Sequence, residues 1–212
     1  MPVPVDTSAL YSDARAFLAE LARNNNRDWF GANKDRYDSL LKRPAERLMA
    51  DLAPVLERQA GTTLRRKLFR PHRDIRFTED KTPYHSHLHL MWSHPDGRVW
   101  MFGLSPDYAT AGAGIMQFAP QAMDRWRAAL DADGATLQAM LARGGWRLDP
   151  PELKRVPAPF AADHPQEALL RRKGAVIWRD GLDDGLQTDP VATLAQAFAD
   201  MGPVLGWLER IV

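Results

Sequence analysis

The chain has 212 residues, 45% of them hydrophobic, and 28 Lys and Arg against 27 Asp and Glu, for a formal charge of +1. That length suits one domain over 1–212 with a substantial core, and near-neutrality excludes a surface built throughout to wrap nucleic acid. The absence of cysteine excludes disulfides, thiolate nucleophiles and cysteine-ligated metal, and with no leader pattern in MPVPVDTSAL and no run near the roughly 20 apolar residues of a spanning helix, the expectation is a cytoplasmic protein outside any membrane.

In chain order, Leu10, Ala14, Phe17, Leu18 and Leu21 recur at helical spacing and predict a helix over 9–22. An Asn in ARNNNRDWF can stop it in a left-handed conformation, and Asn26 is placed to cap the next one, with Asp28 in the first turn. Trp29, Phe30, Tyr37, Leu40 and Leu41 form a second apolar stripe, Pro44 bends that helix or opens another, and Leu48, Leu52, Val55 and Leu56 continue toward Gly61. Pro54 predicts a kink or an early end.

After Gly61 the pattern changes. Arg65 to Arg70 reads as a short strand and RDIRFTEDKTPY as a loop with extended pieces. HSHLHLMWSHPDGRVWMFGLSP reads as a hairpin about a Pro-Asp-Gly turn, and DYATAGAGIMQF as a third strand in which Gly112 and Gly114 allow a bulge or a close backbone approach. A helix follows over about 120–143 and ends at GGW; 145–165 is irregular, RKGAVIWRD is a strand, and two helices close the chain, the last opened by Pro203. Helices, then an antiparallel sheet around residues 84–118, then helices: the order defines an α+β class, with no βαβ alternation.

Charge is concentrated in one place. Between Arg65 and Lys81 stand seven Lys and Arg and three acids, a local +4, while the rest of the chain sums to −3. That contrast points to a discrete anion site. Arg70, Arg73 and Arg76, three apart, can grip carboxylate or phosphate with paired hydrogen bonds. The opposed reading has Asp74, Glu79 and Asp80 neutralising them as an internal network. Lys81 is a point charge or a general acid, and Tyr84 a phenolic proton donor. His85, His87 and His89 alternate, so an extended chain aligns them on one face, where imidazoles can bind a metal with a carboxylate; a strand with a polar face shows the same pattern. EDK at 79–81 stands too close to Asp74 for a two-strand nuclease centre, and GAG at 112–114 lacks a dinucleotide context.

FLAELARNNNRDWFGANKDRYDSLLKRPAERL (17–48), FRPHRDIRFTEDKTPYHSHL (69–88), AGAG (111–114) and DHPQEALLRRKG (163–174) resemble the domain-of-unknown-function family 2461. The resemblance implies an α+β fold and no established activity, substrate or cofactor. It places Arg73, Asp74, Arg76, Phe77, Asp80, Lys81, Pro83 and Tyr84 in the family's signature string, and Asn25, Trp29, Phe30, Lys34 and Tyr37 in its N-terminal one. His85 departs from it, standing where the family has Lys, so a three-histidine metal site is not implied for the family.

The leading expectation is therefore a binder of a small anionic ligand. Arg70, Arg73, Arg76 and Lys81 supply charge, Tyr84 and His85 add hydrogen bonds, Asp74 and Asp80 orient the bases, and Lys34 and Asn25 join from the helical half. Asp74, Lys81, Tyr84 and His85 form the acid/base set if the protein is a catalyst. The alternatives are a metal-dependent hydrolase or oxygenase using His85, His87 and His89, and a non-catalytic interaction module with a structural ion-pair network. Nucleic acid is a further, more weakly supported partner class, through the local +4. No cofactor is named by the sequence.

Overall fold

The computed structural model describes residues 9–212; the stretch from which a leader was judged absent lies mostly outside them. Helix α1 (Leu10–Arg23) buries Ala14, Phe17, Leu18 and Leu21, the predicted stripe, and stops at Asn24 with φ −128°, not in the expected left-handed state, because the Asn24 N–H still reaches the Glu20 and Leu21 carbonyls. Asn26 caps α2 (Arg27–Ala32), its side chain accepting from the Trp29 N–H at 2.9 Å. Helix α3 (Lys34–Tyr37) passes through a π-helical turn at Asp38–Lys42 into α4 (Arg43–Ala60). Pro44 explains the wide turn: a proline ring crowds the carbonyl four residues back, and a wider coil at Leu40 relieves it.

Pro54 does not end α4, which runs on to Gly61 at φ 71°. It is exposed, so the carbonyl it leaves without an N–H partner lies on the solvent side, where water can satisfy it.

Six strands follow: β1 (Arg65–Leu68), β2 (Leu88–Ser93), β3 (Arg98–Leu104), β4 (Ala109–Ile115), β5 (Arg147–Leu148) and β6 (Ala175–Asp180). They form one antiparallel sheet in the order β1-β2-β3-β4-β6-β5. The expected hairpin and third strand are β2, β3 and β4. Two short helices, α6 (Glu167–Leu170) and α7 (Asp183–Thr188), and the two-residue β5 were not predicted. None is long enough to show a period. The last helices, α8 (Pro190–Asp200) and α9 (Gly202–Glu209), match the predicted pair, and α5 (Pro120–Gly144) the central one.

Register separates the two faces. Trp92 lies opposite Trp100, Trp100 opposite Ala113, and Ala113 opposite Ile177. All four are buried in one hydrophobic cluster with α1, α4, α5, α8 and α9. Trp92 meets Phe198 of α8 edge-on at 6.0 Å and donates to the Met49 carbonyl of α4 at 3.2 Å. The neighbouring row carries Lys67, Met91, Met101, Gly112, Trp178 and Arg147, one from each strand, and points away from these helices.

Both glycines of β4 have a reason, and Gly114 shows the close backbone approach that the sequence allowed. A Cβ on Gly112 would stand 2.3 Å from the Trp178 indole, which lies across it. Gly114 has φ 147°, and a Cβ there would meet the Ala175 carbonyl oxygen at 1.9 Å. The first allows an aromatic ring to lie on the sheet; the second lets β4 and β6 approach in a backbone state that other residues rarely adopt.

Candidate functional site

The signature string forms a long excursion between β1 and β2. Only a few backbone bonds hold its two arms: Arg73 N–H to the Pro83 carbonyl at 2.9 Å, His85 N–H to the Pro71 carbonyl at 2.7 Å, and a bridge pairing His72 with Tyr84. Asn25 supplies the missing anchor. Its amide donates to the Tyr84 carbonyl at 2.9 Å and accepts from the Tyr84 N–H at 3.0 Å, as a neighbouring strand would. The Tyr84 ring stacks on Phe30 at 4.1 Å, with His72 edge-on at 5.1 Å and Tyr37 behind Phe30 at 5.4 Å. The two strings of the sequence are thus one packing unit.

This geometry reassigns several expected site residues. Asn25 is a clamp for the loop backbone. Tyr84, expected to present a phenol, is 6% exposed, and its ring belongs to the core. Lys34 bonds Asp38 one helical turn on, at 2.5 Å, and is not among the residues lining the cavity described below.

The loop's charges largely meet one another. Arg73 donates to the Asp80 carboxylate and to the Thr82 hydroxyl. Asp80 also accepts from the Thr82 N–H at 2.9 Å, and that backbone bond, followed by Arg73, holds its pKa down at about 2. Arg76 spans both Asp74 oxygens at 2.9 and 2.7 Å, holding the Asp74 carboxyl below the usual range. Lys81 donates to the Ile75 carbonyl at 3.0 Å. Arg73, Arg76 and Lys81 were expected to leave their charge uncancelled. Arg73 and Arg76 instead pair with local carboxylates and Lys81 ties the loop to itself, because a loop with so few ladder bonds must satisfy its polar groups from its own side chains. The pairs are solvent-exposed, so they shape the loop more than they stabilise it.

The histidines align as the alternation predicted. His85 and His87 stack at 4.7 Å and 29°, His87 and His89 at 3.8 Å and 16°, and His89 Nε2 lies 2.8 Å from the Tyr108 hydroxyl. Stacked rings send their nitrogens along parallel planes, not to a common point. Among the described residues no three His, Asp or Glu are grouped to hold an ion, so the metal expectation has no donor set here. Burial, then the neighbouring imidazoles and Arg73, pushes His87 down to about 4; burial is also the main cause lowering His85 and His89. At neutral pH the row therefore offers neutral donors and acceptors.

Beside the row lies a cavity of about 560 Å³, lined by Lys67, Arg70, Asp74 and the three histidines, among others. Among the described residues, no carboxylate lies within ion-pair distance of Lys67 or Arg70; the Lys67 ammonium sits 4.2 Å from the Phe69 ring centre. A groove of about 470 Å³ along the sheet adjoins the cavity and shares Phe69 and His89 with it. Arg70, Asp74 and His85 were expected here. Lys67 and Tyr108 were missed: Lys67 is legible only once β1 is paired with β2, and Tyr108, 19 residues from its partner His89, carries no local signal.

An antiparallel sheet with helices packed on one face, and a polar loop and histidine row beside the other, defines an α+β protein. The chain belongs to the conserved hypothetical protein family DUF2461, whose family model matches residues 13–207. No curated protein and no solved structure matches it. Among the described residues no helix is long and apolar enough to cross a membrane.

Proposed function

We propose that this protein binds a small phosphate- or carboxylate-bearing molecule in the histidine-lined cavity. Lys67 and Arg70 supply the charge, and neutral His85 and His87 direct hydrogen bonds to the anion. The observation that carries this reading is the contrast between cations: Arg73 and Arg76 pair directly with carboxylates of the loop, whereas Lys67 and Arg70 border the cavity with no carboxylate within ion-pair distance, Asp74 being the acid near enough to feel the charge of Arg70. Asp74, beside Arg70 at the cavity wall, and His85 are the acid/base candidates if the bound molecule is also transformed. Tyr84 and Lys81 act through the shape of the loop. A chain without cysteine fits a cytoplasmic setting.

One observation favours the second reading, a non-catalytic interaction module: the signature charges satisfy one another. Calorimetric titration with inorganic phosphate and acetate, with imidazole resonances followed by NMR, separates the two. Saturable binding that shifts His85 and His87, weakened about tenfold to a hundredfold in Lys67→Gln/Arg70→Gln, is the expected result. Affinity for every anion left unchanged in that folded variant sinks the anion site. Binding to nucleic acid alone, lost as salt rises, would transfer the cations to that partner.

A further inference from the structure

A second concavity adjoins the histidine-lined cavity. Phe69 and His89 line both it and the adjoining groove, which runs across the sheet past Met101, Tyr108 and Met116 to Trp178. A free phosphate or acetate leaves that second compartment unused.

The groove is also where the described fold leaves apolar surface to water. Among the described residues the exposed large hydrophobic side chains are Phe69, Phe77, Tyr108 and Met116. Three of these four line the groove, and Phe77 alone stands elsewhere, at the loop tip. Scattered exposed hydrophobes are ordinary, whereas a cluster in a concavity beside charged groups marks a ligand surface.

The floor is flat by construction. Gly103 and Gly112 present no side chain upward; His89 and Tyr108 lie over the first, where a Cβ would meet both at 3.2 Å, and the Trp178 indole covers the second. Rings laid on backbone give a shelf for a planar group, with Phe69 and Trp178 at its ends. At the junction, the His89–Tyr108 pair at 2.8 Å offers a donor and an acceptor to the atoms joining head and body.

We infer that the ligand is an amphiphile: an anionic head held by Lys67 and Arg70, joined to a planar aromatic body lying on the groove floor between Phe69 and Trp178. This rests on the anion reading above and extends it to a substrate class, aryl phosphates or aryl carboxylates. The two compartments, about 560 and 470 Å³, are together ample for such a molecule.

The test compares phenyl phosphate with inorganic phosphate, and benzoate with acetate, on the full chain. The aromatic body is expected to tighten binding at least tenfold in one pair, and that pair identifies the head. Indole emission should change on binding, and the change should be lost in Trp178→Phe. Met101→Gln, on the groove floor, should weaken the aryl anion severalfold and leave the parent anion unaffected. Lys67→Gln/Arg70→Gln should weaken both. If inorganic phosphate or acetate binds and the aryl form binds no tighter, this inference falls and the anion site stands. If none of the four binds, both fall. Octyl phosphate binding more tightly than phenyl phosphate, or phenol binding as well as phenyl phosphate, also overturns it.

Discussion

The two faces of the sheet are built from alternate residues of the same strands, yet they follow different rules. Toward the helices point Leu90, Trp92, Trp100 and Phe102, each no more than 3% exposed. Toward the groove point His89, Met91, Met101 and Gly103, three of them only partly buried. One face is filled with bulk because helices must pack on it. The other is thinned by glycine and lined with polarisable or polar rings, a composition suited to a surface that is not permanently covered. Stability and recognition are thus divided between the faces: the strands are held from one side, which leaves the other free to carry a cavity.

Truncations on opposite faces of the β2–β3 ladder should differ most in their cost. Trp92→Ala should cost about 3–5 kcal/mol in chemical denaturation, and Met101→Ala about 1 kcal/mol or less, since its side chain is partly exposed. Equal losses would mean that both faces are core. Next, Gly112→Val should displace the Trp178 indole and cost about 1–3 kcal/mol, with a change in near-ultraviolet circular dichroism; an unchanged spectrum would refute the shelf.

Asn25→Ala tests whether the helical half organises the loop. It should cost about 1–3 kcal/mol and raise hydrogen exchange at the Tyr84 amide, leaving the sheet amides protected. The smallest effect is a pH slope. His87 is pushed down from 6.5 to about 4, so the unfolded chain binds the extra proton between those values. The contribution of neutral His87 is complete above about pH 6.5 and is lost as pH falls toward 4, a change on the order of 1–2 kcal/mol. His87→Gln should flatten that part of the pH–stability curve; an unaltered slope would place the ring in water.

Much of this was legible early because it rests on local rules. Helix α1, the Asn26 cap and the β2–β3 hairpin follow from spacing and turn chemistry between near neighbours. The alternation of His85, His87 and His89 correctly placed three rings on one side. Alternation cannot distinguish converging nitrogens from stacked rings, because that depends on side-chain torsions and on what buries them. The signature string was legible as a charged cluster, and its neutralisation by Asp74 and Asp80 as one of two readings; which arginine takes which carboxylate, Arg73 with Asp80 and Arg76 with Asp74, was not.

Periodicity, capping and composition act over a few residues, so the α+β class, the order of the main elements and the stretch that holds the charge are readable from the residues alone. Which cations end with no carboxylate within ion-pair distance depends on the tertiary fold. Lys67 faces the cavity because β1 pairs with β2 in one register, and Tyr108 reaches His89 because β3 and β4 fold back beside each other. Contacts between residues far apart in the chain are set by packing, which no local pattern encodes.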